Sequence, residues 1–218
     1  METNTLSRES ILAAICQNLP QPRVSRPQIP AFPSPERPLR VIFEEHLAKA
    51  GAAVHPVGSP AEAAAKLTAL YPSAKVVCSA VPEIAGTRRA EDVHDPHELA
   101  DVDVGVMRAH FGVAESGAVW VTQEDLIVDA LGFLSQHLVV LLDPNEIVSN
   151  MHEASRRVRL GETAYGCFMM GPSATADIEA TLVHGAQGAR SLDVFFLPRA
   201  LCLFGPFSNL FNMRLQLF

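Results

Sequence analysis

The hydrophobic pattern changes repeatedly along this 218-residue chain, and each change predicts a different element. Apolar residues at helical spacing predict a helix over residues 6–18 and another over residues 39–51, which Gly51 ends. Ser59 as N-cap, followed by Pro60 in the first turn, predicts a third helix to residue 72. Short apolar runs predict strands in "AAVHPV" and "AKVVCSA".

The same alternation continues through the second half of the chain. Apolar runs around residues 115–117 predict strand, turn and strand within residues 102–122. After them come "SQHLVVLLDP" (strand), "NEIVSNMHEASRRV" (helix), "AYGCFMM" (strand), "ATADIEATLVHGAQG" (helix) and "SLDVFFLP" (strand). Strands that alternate with helices are typical of a mostly parallel sheet flanked by helices, so the sequence predicts an α/β fold.

Proline content divides the chain. Seven of the 16 prolines lie between Pro20 and Pro38, which predicts a linker or an extended arm. We therefore expect an N-terminal helix with a Pro-rich arm in residues 1–38 and a main domain in residues 39–198. An apolar tail follows in residues 199–218, where it could form an oligomer surface, a partner surface or a divergent terminus.

Composition and charge exclude several classes of protein. The net charge is −7 and no Lys/Arg run exceeds two residues, so we expect no nucleic-acid partner. The start "METNTLSRES" lacks the pattern of a secretory signal, and no apolar window reaches the roughly 18 residues of a transmembrane helix. Because the four cysteines are scattered, we expect free thiols in a cytoplasmic protein and no metal or iron–sulfur cluster held by this chain alone.

The stretch "MMGPSATADIEATLVHGAQG" is the first candidate site. Gly171, Pro172 and Ser173 lie between a predicted strand and a predicted helix, a place where α/β sheets bind ligands. The free N–H groups of a new helix favour an anion, which the hydroxyls of Ser173 and Thr175 would also meet. Asp177 is the expected cleft carboxylate. The alternative is a capped helix in which the helix dipole stabilises Asp177.

The second candidate site is the turn in "AESGAVWV". Glu115, followed by Ser116 and Gly117, can act as nucleophile, base or ligand to a hydroxyl. The alternative is an ordinary hairpin turn with a solvated glutamate. His137, at the head of a hydrophobic strand, is either a proton shuttle or a half-buried structural residue.

Three blocks of sequence resemble the LUD domain family, which includes lactate-utilisation protein C and YkgG-like proteins. They are "DVGVMRAHFGVAESGAVWV", "HLVVLLDPNEIV" and "GPSATADIEATLVHGAQGARSLDVFFLP", and the resemblance covers residues 40–198. It implies a NagB/RpiA/CoA-transferase-like fold and a subunit or accessory role in the oxidation of L-lactate to pyruvate. It also implies separate iron–sulfur partner proteins. We expect a small anionic or nucleotide-like ligand between the two candidate turns.

Two alternatives belong to other functional classes. By analogy with the catalytic glutamate turn of CoA-transferases, the chain could be a stand-alone transferase or sugar-phosphate isomerase using Glu115. That alternative requires Glu115 to lie close to residues 171–175. The chain could instead be a non-catalytic assembly module that binds through the Pro-rich arm and the apolar tail, and it could form a homo-oligomer.

Overall fold

The computed structural model describes residues 3–19, 25, 27–159, 161, 163–176 and 181–199. The chain divides into two compact units, Met1–Ser34 and Pro35–Phe218. The first unit contains the helix α1 (Thr3–Gln17), close to the helix predicted from residues 6–18. Residues 27–38 form no helix or strand, as their proline content predicts.

The second unit contains an α/β arrangement of strands and helices. Its described elements, in chain order, are α2 (Leu39–Lys49), β1 (Ala53–Pro56), α3 (Pro60–Leu70), β2 (Val77–Ser79), β3 (Arg88–Arg89), β4 (Val104–Arg108), β5 (Phe111–Val113), β6 (Ala118–Thr122), α4 (Gln123–Leu126), α5 (Leu131–Leu134), β7 (His137–Leu142), β8 (Ile147–Val148), α6 (Met151–Arg157), β9 (Gly166–Met169), β10 (Ala174–Ala176), β11 (Leu182–His184) and β12 (Ser191–Phe196). Short 3₁₀ turns occupy Ala90–Asp92 and Pro96–Leu99.

A six-stranded sheet forms the centre of this unit. Its strand order is β1-β12-β7-β4-β2-β3, and every neighbouring pair is parallel. Residues that alternate along β7 and β12 enter two different hydrophobic clusters, one on each face of the sheet. Both faces are therefore buried, which explains the continuous apolar runs of these strands. The predicted mostly parallel sheet is confirmed; the NagB/RpiA-like assignment stays a prediction.

The two long helices of this unit cover opposite faces of the central sheet. Phe43 and Leu47 of α2 pack in the cluster that contains Val140 of β7. Ala63 and Leu67 of α3 pack in the other cluster. The N-cap predicted for α3 is present, since the hydroxyl of Ser59 accepts the N–H of Glu62 at 3.2 Å; the helix prediction from capping and periodicity is confirmed.

A four-stranded sheet, in the order β8-β5-β6-β9, lies beside the central one. β6 is antiparallel to β5 and β9, and β5 is parallel to β8. This sheet corrects two predictions. The segment 102–122 contains three strands rather than two, and the first belongs to the central sheet. The helix predicted from residue 145 begins only at Met151, because residues 147–148 pair with β5.

The predicted helix over residues 174–188 is wrong. β10 and β11 form an antiparallel hairpin in which Thr175 pairs with Val183. Backbone bonds extend the pairing beyond the two strands, from the N–H of Ser173 to the carbonyl of Ala189 at 2.8 Å and from the N–H of Gly185 to the carbonyl of Ser173 at 2.9 Å. These pairings outweigh the local helix preference of the alanines.

Candidate functional site

The turn that contains Glu115 is held by backbone and side-chain bonds. The carboxylate of Glu115 accepts the N–H of Met151, the first residue of α6, at 2.9 Å. The N–H of Glu115 donates to the carbonyl of Ser149 at 3.0 Å. These contacts fix the start of α6, so this carboxylate has a structural partner; its catalytic role stays a prediction.

The rest of this turn packs closely against α2. Gly117 has φ +71°, and a Cβ there would lie 2.4 Å from the backbone nitrogen of Leu47. Only glycine fits such a position, because the conformation is left-handed and the helix backbone leaves no space. The hydroxyl of Ser116 accepts the N–H of Ala118 at 3.3 Å. The predicted ligand-binding role of Ser116 and Gly117 stays a prediction.

The turn of residues 171–173 contacts the end of the same helix. Gly171 has φ +72°, and a Cβ there would lie 2.4 Å from the carbonyl oxygen of Ala50. Pro172 lies near Gly51. Since a hairpin strand follows this turn, the helix N-terminus expected to meet an anion beside Ser173 and Thr175 is not present. Asp177, the expected cleft carboxylate, lies outside the described residues.

A cavity of about 240 Å³ lies beside this turn. Its described lining contains glycines, large apolar side chains and a few polar groups: Gly132, Phe133, Leu138, Phe168, Met169, Met170, Gly171, Pro172, Ser173, Gln187, Gly188, Ala189 and Leu192. Residues 115–117 and His137 do not line it. The structure thus places Gly171, Pro172 and Ser173 together in the lining of this cavity, whereas Glu115, Ser116, Gly117, His137 and Thr175 are not among its lining residues.

His137 lies at the amino edge of the central sheet, because it is the first residue of β7. Ligands of parallel α/β sheets bind at the opposite edge. The Nδ1 of His137 is 2.8 Å from the hydroxyl of Ser191, and its ring lies 4.7 Å from that of Tyr71. Burial, with a smaller contribution from the charge of Arg190, lowers the pKa of His137.

These residues belong to a polar cluster that we name the amino-edge network: His55, Tyr71, His137, Ser191 and Asp193. The Tyr71 hydroxyl donates to one carboxylate oxygen of Asp193 and lies 2.9 Å from the Ser191 hydroxyl. His55 lies 2.7 Å from the other oxygen of Asp193. Burial, with the hydrogen bond to Asp193, raises the pKa of Tyr71. Both oxygens of Asp193 are thus used within the fold.

A larger cavity, of about 510 Å³, opens at the carboxyl edge of the central sheet, and we name it the carboxyl-edge cavity. Its described lining combines charged groups, hydroxyls and aromatic rings: His110, Phe111, Trp120, Thr122, Glu124, Glu146, Arg157, Val158, Arg159, Thr163 and Arg199. His110 follows the end of β4, and Arg199 follows the end of β12. In volume and position it matches an ordinary ligand site of an α/β fold.

Asp125 holds the imidazole of His110 in this cavity. One oxygen of Asp125 lies 2.9 Å from the Nε2 of His110 and accepts the N–H and the hydroxyl of Thr122, both at 2.8 Å. An ionised carboxylate only accepts hydrogen bonds, so Nε2 carries a proton. The other ring nitrogen, Nδ1, is then the atom that can accept or release a second proton. The bond to Asp125 raises the pKa of His110, against the opposing effects of burial and of the charge on Arg199.

Two arginines at this edge differ in how they are paired. Arg108 is bound to Glu83 at 2.8 Å and to the carbonyl of Leu197 at 3.1 Å. Arg199 donates its backbone N–H to Asp143 at 2.9 Å; with the described residues, its guanidinium makes one long bond of 3.5 Å, to the carbonyl of Ala109. Arg199 therefore presents an incompletely used guanidinium to the cavity.

The backbone hydrogen bond from Arg199 affects the pKa of Asp143. Burial acts to raise the pKa of Asp143, but the N–H groups of Arg199 and Asn145 outweigh it and hold the pKa below its usual range. This carboxylate stays ionised and anchors the chain just before Arg199.

The sequence contains one signal for this cavity that the predictions above did not use. Thr122 and Asp125 have the spacing of a capping box, and they form one at the start of α4. His110 also lies two residues after the end of the buried strand β4. The expectation of a simple hairpin over residues 102–122 concealed the end of β4, where His110 stands.

Two features are absent from the residues that the structure describes. Among them, no three His, Cys, Asp or Glu side chains are grouped so that they could hold a metal ion. No helix in the same part of the chain has the length and apolar character needed to cross a membrane.

Comparison with protein families identifies the fold unit. The model of the LUD domain matches residues 84–197, slightly more than half of the chain, so the chain belongs to the LUD domain family. The family resemblance stated from the sequence is thereby confirmed. The match includes His110, Asp125 and Arg157 but ends before Arg199.

Three proteins named lactate utilization protein C are similar to parts of this chain. The one from Halalkalibacterium halodurans is 30% identical over 92 residues, covering 39% of this chain and 40% of that protein. Those from Shouchella clausii and Bacillus pumilus are 32% and 35% identical, over 42% and 38% of this chain and 42% and 37% of theirs. The matches thus span about two fifths of these relatives.

A solved structure shares the fold. A crystal structure of a DUF162 family protein from Deinococcus radiodurans has a TM-score of 0.53 and 19% identity to this chain, and the match covers 73% of this chain and 96% of that one. At this identity, the likeness shows the α/β fold alone.

Proposed function

We propose that this chain acts in the cytoplasm in lactate utilisation, as a subunit or accessory factor in the oxidation of L-lactate to pyruvate. The observation that supports it most is the combination of LUD family membership with similarity to three proteins named lactate utilization protein C. The carboxyl-edge cavity, with its arginines and a carboxylate-held histidine, is the site best suited to such a role.

The chemistry of this role requires partners. Oxidation of a hydroxyl to a ketone releases electrons as well as protons, and the electrons need an acceptor. We assign that part to separate iron–sulfur proteins, as the family resemblance implies. The LUD chain would contribute the binding of a ligand or the assembly of the complex.

Growth of a deletion strain tests the proposal. We expect a strain without this chain to fail on L-lactate as sole carbon source and to grow normally on pyruvate, because only the oxidation step is missing. Restoring the gene should restore growth on L-lactate. Normal growth of the deletion strain on L-lactate would contradict the proposal.

Copurification tests the partner part separately. An affinity-tagged chain, expressed from its own gene neighbourhood, should bring down proteins with the absorption of iron–sulfur clusters. The chain could instead purify alone at native expression levels, under conditions where growth on L-lactate depends on it. That result would contradict a stable complex, and the chain would then act as a free accessory factor.

A further inference from the structure

We infer that the carboxyl-edge cavity binds a small organic acid with a hydroxyl or oxo group on the carbon next to the carboxylate, held by Arg199 and His110. The choice of this acid rests on the proposed function. The cavity, its charges and its open hydrogen-bonding groups are features of the structure itself. The inference concerns binding, and no redox step is assigned to this chain.

Arg199 is the group placed to hold the carboxylate. A guanidinium has several N–H donors in a planar fork that matches a carboxylate. Arg108 and Arg157 already have carboxylate partners, Glu83 at 2.8 Å and Glu146 at 2.8 Å. Within the described part of the chain, the guanidinium of Arg199 has no carboxylate partner and makes one long bond, to the carbonyl of Ala109. Its free donors fit an incoming anion.

His110 is the group placed to meet the neighbouring oxygen of the acid. Its Nε2 is engaged by Asp125 at 2.9 Å, which fixes the ring, and no described residue engages its Nδ1. A neutral imidazole accepts a hydroxyl hydrogen at Nδ1, whereas a protonated one donates to a carbonyl oxygen. The same ring can thus bind a 2-hydroxy acid or the corresponding 2-oxo acid.

The two groups lie close enough to share one small ligand. The guanidinium of Arg199 bonds to the carbonyl of Ala109, which precedes His110 in the chain. The charge of Arg199 also acts on His110, since it lowers the pKa that Asp125 raises. Both residues line the same cavity, and the guanidinium lies near the backbone next to the imidazole.

The cavity has room beyond the acid group. Its volume of about 510 Å³ falls within the range of roughly 300–1,000 Å³ typical of ligand sites and exceeds what a three-carbon acid fills. Phe111 and Trp120 line the remaining space and suit an apolar side chain on the acid. Glu124 and Glu146 also line the cavity, and Glu146 is paired with Arg157.

Titration calorimetry of the full chain tests the inference with four probes: L-lactate, pyruvate, propionate and inorganic phosphate. Propionate has the carboxylate without the second oxygen, and phosphate is an anion without a carboxylate. We expect saturable binding of L-lactate and pyruvate, and weaker binding of propionate and phosphate.

Two variants separate the roles of the residues. Arg199→Gln should weaken the binding of every carboxylate probe by about tenfold or more, because a charged hydrogen bond is lost. His110→Asn should weaken the binding of L-lactate by a similar factor and leave the binding of propionate almost unchanged. Arg89→Gln is the matched control, since Arg89 is exposed and paired with Glu91 away from the cavity; it should change no affinity.

The other outcomes overturn either the inference or the proposed function on which its choice of acid rests. Absence of saturable binding to folded protein removes the acid site, and tighter binding of phosphate than of any carboxylate changes the ligand class. Equal losses for L-lactate and propionate in His110→Asn exclude the role of His110. If the deletion strain grew on L-lactate while the protein bound the acid, the proposed function would be wrong and the binding site would stand. If growth on L-lactate depended on the gene but the protein bound no acid, the binding site would be wrong and the proposed function would stand.

Discussion

Two of the His–Asp pairs in the fold differ in how exposed they are. In the amino-edge network, His55 and Asp193 lie 2.7 Å apart, with side chains 17% and 12% exposed. At the carboxyl edge, His110 and Asp125 lie 2.9 Å apart, and the His110 side chain is 42% exposed. Similar pairs therefore occupy a closed and an open environment.

Hydrogen bonding explains the consequence of this difference. Both oxygens of Asp193 are used, by His55 and by Tyr71, and Tyr71 is linked in turn to Ser191. A carboxylate with both oxygens bonded inside the fold contributes to stability and has little capacity left for a ligand. The ring of His110, in contrast, is more exposed and lines the carboxyl-edge cavity. The comparison indicates that exposure and a neighbouring cavity, rather than the residue types, distinguish a structural pair from a candidate functional one.

The largest expected effect on stability follows removal of Asp193. Asp193→Ala leaves the Tyr71 hydroxyl and the His55 ring without their acceptor, and should lower the free energy of unfolding by about 3 kcal/mol. Urea denaturation measures this change. Asp95→Ala is the control, because Asp95 pairs with His97 at the surface. Equal effects of the two substitutions would show that the amino-edge network does not stabilise the fold.

The next effect concerns the pKa of His110. Asp125→Asn should bring this pKa down towards its ordinary value of 6.5, as followed by NMR titration of the imidazole. Because the pKa is raised in the folded protein, the pair stabilises the fold below pH 6.5, and this contribution is lost as the pH rises through the raised value. The pH dependence of unfolding should therefore flatten in the variant; an unchanged profile would contradict the assignment.

Removal of one hydroxyl should give a smaller loss. Tyr71→Phe keeps the ring and deletes the group that bonds to Asp193 and Ser191, so the free energy of unfolding should fall by about 1 kcal/mol. Binding of L-lactate should stay unchanged, since Tyr71 lies at the opposite edge. A loss of L-lactate affinity in this variant, at temperatures where it is fully folded, would break the separation of the two edges.

The smallest expected effect is electrostatic, and it is a gain in ligand affinity rather than a loss. Glu124 lines the carboxyl-edge cavity, so Glu124→Gln should tighten L-lactate binding by roughly twofold to fivefold at low ionic strength. The gain should shrink as salt is added, because mobile ions screen the repulsion. Calorimetry at low and high salt measures it. Weaker binding in the variant would mean that Glu124 contacts the ligand.

Local patterns in the sequence predict the helices and strands around the central sheet well. The apolar runs of β7 and β12 and the Ser59 cap of α3 carry their information within a few residues. The hairpin of β10 and β11 could not be found in this way, because its formation depends on contacts such as Ser173 with Ala189. Pairing partners distant in the chain decide such elements.

The candidate site shows the same limit more strongly. Its groups come from separated segments of the chain, among them those around His110, Glu124, Arg157 and Arg199, which only the folded protein brings together. Sequence motifs drew attention instead to Glu115, which secures a turn, and to His137, which belongs to the amino-edge network. Family membership was predictable from the three sequence blocks and is confirmed, but it did not identify the cavity.

The difference between the open and the closed pair can be observed directly in one NMR experiment. Imidazole nitrogen signals of the full chain, labelled with ¹⁵N, are followed while L-lactate is added at constant pH and ionic strength. The account predicts a saturable shift of the His110 signals and no change in those of His55. Unchanged His110 signals at saturating L-lactate, or a shift of His55 in their place, would contradict it.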